Sequence, residues 1–248
     1  MGKEIYLSVV MPAHNEEKRI GQTLDSIASY LNKQSYEYEI IVADDGSTDK
    51  TDEVSSSRKN IIKNLVISSK KEDGESMGKG DAAQRGMLKS RGKYRIFIDA
   101  DNATPFWQVE KLLEVIQKEN YNIAIGSRYV KGAKLVPPRG AFRTFISRGG
   151  NIIINSFLGL PYKDTRCGFK LFTDKAAEKI FSKILLPSFG FDDEVLVLAK
   201  KFDFKVKEVP VEWHEKGESK VSIKDIFKSF SEMWQIKKNL KYGEYDNN

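Results

Sequence analysis

Two carboxylates stand one residue apart at the end of an apolar run, in the sequence Tyr94-Arg-Ile-Phe-Ile-Asp99-Ala-Asp101. Such a run is typical of a buried strand, and open α/β sheets bind ligands beyond the carboxyl ends of their strands. Two carboxylates this close repel each other unless a cation lies between them. The spacing therefore favours a divalent metal that holds a phosphate, although Asp-x-Asp alone also occurs in solvated acidic turns.

Polar residues also follow the first two strand-like runs of the chain. The first run ends in Met11-Pro-Ala-His-Asn-Glu-Glu17 and the second in Asp44-Asp-Gly-Ser-Thr48. At both places Pro, Asn or Gly ends the strand and a helix follows, which Ser or Thr is suited to cap after the second run. Taken alone, the second segment is equally typical of a turn with a helix cap. With Asp99 and Asp101, three polar segments are predicted to meet at one edge of a sheet.

Strand-like and helical patterns alternate along the first half of the chain, which predicts an α/β fold with a mostly parallel central sheet flanked by helices. The predicted strands are Leu7–Met11, Glu39–Ala43, Leu65–Ser68, Tyr94–Ile98 and Asn122–Gly126, and the predicted helices are Ile20–Leu31, Ala82–Lys89 and Val109–Gln117. At 248 residues and 40% hydrophobic composition, the chain is long enough for one large domain.

Composition limits the classes of protein to consider. The single cysteine, Cys167, excludes a disulfide within the chain and predicts a reducing, cytoplasmic compartment. We find neither a signal-peptide pattern nor an uncharged apolar run of about 18 residues, so no membrane span is expected. The 41 basic and 35 acidic residues leave a net charge of +6, which fits either an anionic partner or an ordinary lysine-rich surface.

Two segments in the second half of the chain combine basic and apolar residues. Residues 142–158 include Arg143 and Arg148 among phenylalanines and isoleucines, as suits a site for a molecule that is both anionic and apolar. Residues 223–242 have apolar side chains at helical spacing with lysines among them. They predict an amphipathic helix that either packs on the core or lies in a membrane interface.

Six motifs, in this order, resemble those of the family 2 inverting glycosyltransferases with the GT-A fold, a Rossmann-like α/β architecture, and most closely the polyprenyl-phosphate sugar synthases. The motifs are Pro12–Glu16, Ala43–Asp49, Gly78–Ala83, Asp99–Asp101, Gly126–Arg128 and Asp164–Phe172. The run Asp99–Thr104, the sequence Phe191-Asp-Asp-Glu194 and Trp213 bring the chain nearest to the dolichyl-phosphate β-glucosyltransferase branch.

The resemblance implies how a sugar nucleotide and a metal are bound. The residues implied to bind the nucleotide sugar are Pro12, His14, Glu16, Asp45, Lys79 and Asp99. Asp45 is expected to accept a hydrogen bond from the base and Glu16 to reach the ribose. Asp101, with Asp99 beside it, is expected to bind Mg²⁺ or Mn²⁺ and through it the diphosphate. Such a metal offsets the charge that builds on the departing nucleoside diphosphate.

The resemblance also implies an acceptor site for a lipid phosphate. The residues implied to hold that phosphate are Arg128, Arg143, Ser147 and Lys220, and the implied catalytic residues are Asp99, Asp101 and Arg128. The planar fork of a guanidinium suits two phosphate oxygens at once. A phosphate monoester has a second pKa of about 6 and is mostly ionised at neutral pH. In-line attack therefore needs no strong general base, and positioning with charge compensation is expected to do most of the work.

The implied reaction is inverting transfer of glucose from UDP-glucose to a polyprenyl, dolichyl-type phosphate. The enzyme is expected to be peripheral at the cytoplasmic face of a membrane. GDP-mannose is the alternative donor, although Ala103 stands where the mannosyl branch often has Gln or another polar residue. A soluble glycosyltransferase with a saccharide or protein acceptor is a further alternative. No nucleic-acid partner is expected, because the basic residues lack interleaved aromatic residues.

The expected organisation is a single domain over residues 1–242. Within it, residues 1–105 form a nucleotide-binding half, residues 106–222 an acceptor half and residues 223–242 the amphipathic helix. The polar residues 243–248 are expected to be a disordered tail.

Overall fold

The computed structural model describes residues 4–69, 76–137, 141–215 and 223–246, without the side chains of residues 141–148 and 223–228. The strands of this part of the chain are β1 (Leu7–Ala13), β2 (Tyr38–Asp44), β3 (Leu65–Ser69), β4 (Tyr94–Ile98), β5 (Ile123–Ser127), β6 (Lys134–Val136), β7 (Phe169–Thr173), β8 (Val206–Pro210) and β9 (Glu212–His214). The helices are α1 (Ile20–Leu31), α2 (Thr51–Ser56), α3 (Lys79–Lys89), α4 (Val109–Glu119), α5 (Ala141–Leu158), α6 (Asp174–Phe181), α7 (Phe191–Lys201) and α8 (Ile223–Tyr242).

The central sheet has the strand order β3-β2-β1-β4-β7-β5-β8. Strands β1 to β4 run parallel, and β8 runs parallel to β5. Strand β7 lies antiparallel between β4 and β5. The predicted α/β fold with a mostly parallel sheet is thus confirmed. Strands β6 and β9 pair separately, in parallel.

Side chains on the two faces of the sheet enter two apolar layers. Val9 lies in the layer under α1 and α4, whereas its neighbour Val10 lies in the layer under α3, α6 and α7. Ile96 and Phe97 divide between the layers in the same way, since successive side chains of a strand point to opposite faces. Every residue of β1, β2 and β4 is buried, as expected where helices cover both faces of parallel strands.

The predicted bounds of α1 and β4 agree with the structure, and most other elements differ by one or two residues. Helix α3 differs more, because it begins at Lys79 and not at Ala82. The apolar periodicity starts only at Ala82, whereas the first turn is polar and includes Asp81, whose charge is favourable at a helix N-terminus. This difference matters because it places Lys79 in the first turn of the helix.

Helix α8 has one buried face and one exposed face. Met233 and Ile236 are 2% and 0% exposed and belong to the core, whereas Trp234 is 67% exposed. The expectation that the helix packs on the core is met for one face, whereas contact of the opposite face with a membrane stays a prediction. No helix within the described ranges is long and apolar enough to cross a membrane.

Tyr245 anchors the residues that follow α8. Its side chain is 1% exposed, and its hydroxyl donates to Glu194 Oε1 at 2.7 Å and accepts from Asn239 Nδ2 at 3.3 Å. The expectation of a disordered tail over residues 243–248 is therefore wrong at Tyr245. The prediction relied on the polar composition of the tail and overlooked its one aromatic residue, which packs in the core.

Replacing Tyr245 by Phe tests this anchor. The change removes both hydrogen bonds and deprives the buried Glu194 carboxylate of a donor, so we expect the free energy of unfolding to fall by about 1–3 kcal/mol. Urea unfolding measures the change. Tyr242→Phe is the matched control, because Tyr242 is 62% exposed and its replacement should alter stability by less than about 0.5 kcal/mol. Equal, small effects of both variants would contradict the anchor.

Candidate active site

The carboxyl ends of β1, β2 and β4 lie at one edge of the sheet. Strand β1 pairs in parallel with β2 on one side and with β4 on the other, so the segments after Ala13, Asp44 and Ile98 leave the sheet together. His14 Nδ1 lies 3.0 Å from the carbonyl oxygen of Asp45. The three polar segments thus come together at this edge as expected.

Asp99 and Asp101 form the carboxylate pair at the end of β4. Asp99 Oδ1 lies 2.6 Å from Lys79 Nζ, whereas Asp101 Oδ1 accepts a hydrogen bond from Ala103 N at 2.9 Å. Burial, and then repulsion by Asp99, raise the pKa of Asp101. A cation beside this pair would relieve both costs, because it favours the charged form of a carboxylate.

Lys79 lies within a short series of alternating charges. Its Nζ is 3.9 Å from Asp192 Oδ2 on α7, and Asp192 in turn pairs with the fully buried Lys170 of β7. Burial lowers the pKa of Lys79, but attraction by Asp99 and Asp192 outweighs this effect and the net shift is upward. The ammonium therefore stays charged beside the carboxylate pair. Sequence reasoning gave Asp192 and Lys170 no role, although both lie in motifs that it identified.

Gly168 allows Asp99 to approach β7. Asp99 N donates to the carbonyl oxygen of Gly168 at 3.1 Å, and a Cβ at position 168 would lie 2.1 Å from Asp99 Oδ2. No side chain therefore fits at this position while Asp99 keeps its place.

Asp45 fixes the entry to α3. Its carboxylate is buried and accepts hydrogen bonds from Ser76 Oγ at 2.6 Å, Met77 N at 3.1 Å and Gly78 N at 2.7 Å. A carboxylate has about four acceptor sites, so at most one remains for the predicted contact with a base. Sequence reasoning missed this structural role, because the donors lie more than 30 positions further along the chain.

The other predicted nucleotide residues line the same edge. Pro12 is buried in β1, and the Glu16 carboxylate pairs with Arg19 Nε and Nη2 at 2.7 Å each. Arg19 also acts electrostatically on Asp101, which places Glu16 and the carboxylate pair in one electrostatic environment. The contacts of Pro12, His14 and Glu16 with a nucleotide stay predictions.

Arg128 forms a buried ion pair. Its Nε and Nη2 each lie 2.8 Å from a different oxygen of Asp164. Its guanidinium carbon lies 5.4 Å from the centroid of the Tyr129 ring and 5.7 Å from that of the Trp213 ring. Burial raises the pKa of Asp164, but attraction and hydrogen bonds, chiefly from Arg128, together outweigh this effect and the net shift is downward. The carboxyl is therefore ionised at neutral pH. Any contact of Arg128 with an acceptor phosphate must coexist with this pair.

The remaining predicted acceptor residues cannot be placed by their side chains. Arg143 and Ser147 belong to α5, but their side chains lie outside the described residues, as does the whole of Lys220. Their role as phosphate-binding residues stays a prediction.

Residues 8–181, more than half of the chain, match the family model described as Glycosyl transferase family 2. The chain belongs to glycosyltransferase family 2. Three relatives, each called dolichyl-phosphate beta-glucosyltransferase, illustrate the similarity. The protein of Dictyostelium discoideum is 37% identical, and the alignment covers 94% of this chain and 77% of that protein. The protein of Saccharomyces cerevisiae is 34% identical over 99% of this chain and 78% of that protein. The protein of Homo sapiens is 37% identical over 87% of this chain and 69% of that protein.

Solved structures of glycosyltransferases share the fold of this enzyme. Mannosyl-3-phosphoglycerate synthase from Rubrobacter xylanophilus has a TM-score of 0.69 at 18% identity, over 96% of this chain and 75% of that one. Glucosyl-3-phosphoglycerate synthase from Mycobacterium tuberculosis, solved with Mn²⁺, UDP and glucosyl-3-phosphoglycerate, has a TM-score of 0.66 at 22% identity, over 95% and 80% of the two chains. At these identities the likeness establishes the fold.

The carboxylate pair of this glycosyltransferase fits a divalent cation. Asp99, Asp101, Asn102 and Trp213 are among the residues that line a cleft of about 10 Å³, which is room for one water-sized sphere. Asn102 Oδ1 is buried and accepts no hydrogen bond within the described part of the chain. Carboxylate and amide oxygens are the hard ligands that Mg²⁺ and Mn²⁺ prefer.

The side chains at this cleft would not complete the coordination of a metal ion without a bound substrate or water. Among the described residues, no group of three or more His, Cys, Asp and Glu side chains could hold a metal by itself. Mg²⁺ is commonly held by one or two carboxylates together with substrate phosphates and water. Ala103 also lines the cleft and offers no side-chain ligand there.

Replacing Gly168 by Ala tests the placement of Asp99. The added methyl would force the Asp99 carboxylate away from β7 and from Lys79, and misplacement of a catalytic group by about 1 Å can cost on the order of 100-fold in rate. The initial rate of glycosyl transfer measures the effect. Gly150→Ala is the control, because a Cβ there meets nothing within 4 Å, and it should keep the wild-type rate. Equal rates for the two variants would contradict the crowding at Asp99.

Proposed function

We propose that this enzyme transfers glucose from UDP-glucose to a dolichyl-type polyprenyl phosphate, with inversion at the anomeric carbon. One observation carries the proposal: relatives at 34–38% identity, which align over most of this chain, are named dolichyl-phosphate beta-glucosyltransferases. The charges at the end of β4 support it, because they suit a diphosphate and a metal. Residues 1–105 would then bind the donor and residues 106–222 the acceptor.

The donor half positions the leaving group. Asp101 and Asp99 would hold Mg²⁺ or Mn²⁺, which supplies Lewis-acid stabilisation of the departing nucleoside diphosphate when bound. Lys79 adds a positive charge that Asp99 and Asp192 fix in place, so its ammonium needs no reorganisation as charge develops. Pro12, His14, Glu16 and Asp45 would form the nucleoside pocket beside this charge cluster.

The acceptor half needs to position a phosphate and leave it ionised. Arg128, Arg143, Ser147 and Lys220 are proposed to hold the polyprenyl phosphate. The phosphate oxygen then attacks the anomeric carbon in line, as the bond to the diphosphate oxygen breaks. Because this nucleophile is already an anion near neutral pH, no side chain has to remove a proton from it.

We also propose that the enzyme contacts the cytoplasmic face of a membrane through α5 and α8. Ile152 and Ile153 on α5 are 65% and 55% exposed, and Trp234 on α8 is 67% exposed. The two helices pack together, since the rings of Phe157 and Trp234 lie 5.2 Å apart. Lys237 on α8 adds positive charge beside this apolar surface, since its Nζ lies 4.2 Å from the centroid of the Phe157 ring. Apolar and basic side chains together favour binding to anionic lipid interfaces.

A donor panel tests the reaction. Purified protein with a short polyprenyl phosphate and Mn²⁺ or Mg²⁺ is expected to form product from UDP-glucose and not from GDP-mannose. Asp101→Asn should lower the rate on the order of 100-fold, because metal stabilisation of the leaving group is worth several kcal/mol. Asp25→Asn, at an exposed carboxylate of α1, should keep the wild-type rate.

Other results of the same panel would contradict the proposal. Product from GDP-mannose alone would replace glucose by mannose as the transferred sugar. Absence of product with both donors would contradict the proposed reaction. An Asp101→Asn enzyme that retains the wild-type rate would remove the metal role from this residue.

Replacing Trp234 by Ser tests the membrane contact. Burying a large apolar side chain contributes about 1.5–3 kcal/mol, so vesicle binding should weaken about tenfold or more. Flotation with vesicles of neutral and anionic phospholipid measures it, and high salt should weaken binding of the wild type as well. Trp107→Ser is the matched control, since Trp107 is 49% exposed but lies in the 3-10 turn before α4. Equal binding of both variants would argue against α8 as the membrane surface.

A further inference from the structure

The segment Leu185–Gly190, here called the 185–190 loop, lies between α6 and α7, directly before α7, and packs on the start of α3. Asp81 N donates to the carbonyl oxygen of Pro187 at 3.0 Å. Gly78 and Gly80 approach the same loop so closely that a Cβ would lie 2.7 Å from Pro187 O and 2.5 Å from Leu186 O, respectively. The backbone on both sides of Lys79 therefore rests directly on the loop.

Glu232 of α8 holds this loop from the other side. Its carboxylate is buried, with one oxygen accepting from the Ser188 hydroxyl and the other from Gly190 N at 2.9 Å. A Cβ at Gly190 would lie 2.8 Å from Glu232 Oε2, so the carboxylate fits closely against the backbone. Hydrogen bonds to an ionised acceptor are roughly twice as strong as neutral ones.

The loop also sets the start of α7. Helix α7 begins at Phe191, immediately after Gly190, and carries Asp192, the second carboxylate near Lys79. At the other end of the loop, Glu194 accepts from the backbone N–H groups of Leu185 and Leu186 at 3.1 and 3.0 Å. The loop is thus placed by two buried glutamates, one of which lies on the helix with the exposed Trp234.

We propose that Glu232 is a positioning residue for glycosyl transfer, which keeps Lys79 and Asp192 in place against Asp99 by fixing the 185–190 loop. The proposal rests on the role of Lys79 at the donor diphosphate given above. Glu232 acts through the loop and its own carboxylate is occupied by Ser188 and Gly190. Its loss is expected to release the loop, and with it the first turn of α3.

Two variants separate this role from a general contribution to stability. Glu232→Gln keeps the shape but replaces one acceptor oxygen by an NH₂ group, which faces a donor. Glu39→Gln is the matched control, because Glu39 is also buried and accepts from a serine hydroxyl, Ser8 Oγ at 2.6 Å, and a backbone N–H, Arg91 N at 2.7 Å. Glu39 lies near the amino end of β2, away from the carboxylate edge. We expect both variants, Glu232→Gln and Glu39→Gln, to lower the melting temperature of the protein.

The expected kinetic result differs between the two. Glu232→Gln should lower kcat with UDP-glucose about tenfold to 100-fold, since small misplacements of catalytic groups have effects of this size. Glu39→Gln should keep kcat at the wild-type value. In a Lys79→Met background, Glu232→Gln should cause little further loss of kcat, because effects of residues that act as a unit are not additive. Independent, multiplicative losses would overturn the proposal.

A readout that does not need the reaction tests the position of Lys79 directly. Competitive acetylation with mass spectrometry should show Lys79 modified several-fold faster in Glu232→Gln than in the wild type, and at the wild-type rate in Glu39→Gln. Unchanged labelling of Lys79 in Glu232→Gln would overturn the proposal. Faster labelling at an unchanged kcat would instead overturn the role of Lys79 in the reaction, and with it the catalytic importance of Glu232.

Ser188→Ala guards against a Glu232→Gln protein that fails to fold. It removes one of the two donors and leaves the carboxylate bonded to Gly190 N. Its effects on kcat and on Lys79 labelling should have the same direction and be smaller. Wild-type behaviour in both measurements would count against the proposal.

Discussion

Charge compensation at the end of β4 is the constraint on which the rest of the site depends. Asp99 and Asp101 follow a strand with both faces covered, so their charges lie partly outside water and close to each other. Nearby cations favour the charged form of both carboxylates, whereas without them one carboxyl tends to take up a proton. Lys79 supplies one such charge, and the cleft at Asp101 and Asn102 has room for the second one, the divalent cation proposed above.

The position of Lys79 in turn depends on backbone contacts. It stands in the first turn of α3, between two glycines that have no room for a side chain against the 185–190 loop. Asp45 fixes the entry to that turn through Ser76, Met77 and Gly78. The carboxylate that the family resemblance assigns to the base thus also places Lys79, which is proposed to face the diphosphate. Under that proposal, loss of the Asp45 carboxylate would disturb both the base site and the diphosphate site.

Sequence predicted the parts of the structure that local patterns encode. Apolar runs gave β4 and α1 their bounds, and the polar residues after three strands predicted the shared edge. Contacts between distant residues were missed, because no local pattern reports them: Arg128 meets Asp164 across 36 positions and Ser188 meets Glu232 across 44. Motifs identified Asp164 and Asp192 as notable, but only the fold shows which cation each one faces.

Helix α8 links the proposed membrane surface to the site. Adjacent helical positions point in different directions, so Glu232 and Met233 face the protein while Trp234 faces outward. A force on the outer face that tilts this helix must also move the carboxylate that holds the 185–190 loop. If the acceptor is a membrane lipid, one helix, α8, both contacts the membrane and holds the loop that orients Lys79. The position of α8 on the core would then affect the reaction at the donor diphosphate as well as access to the acceptor.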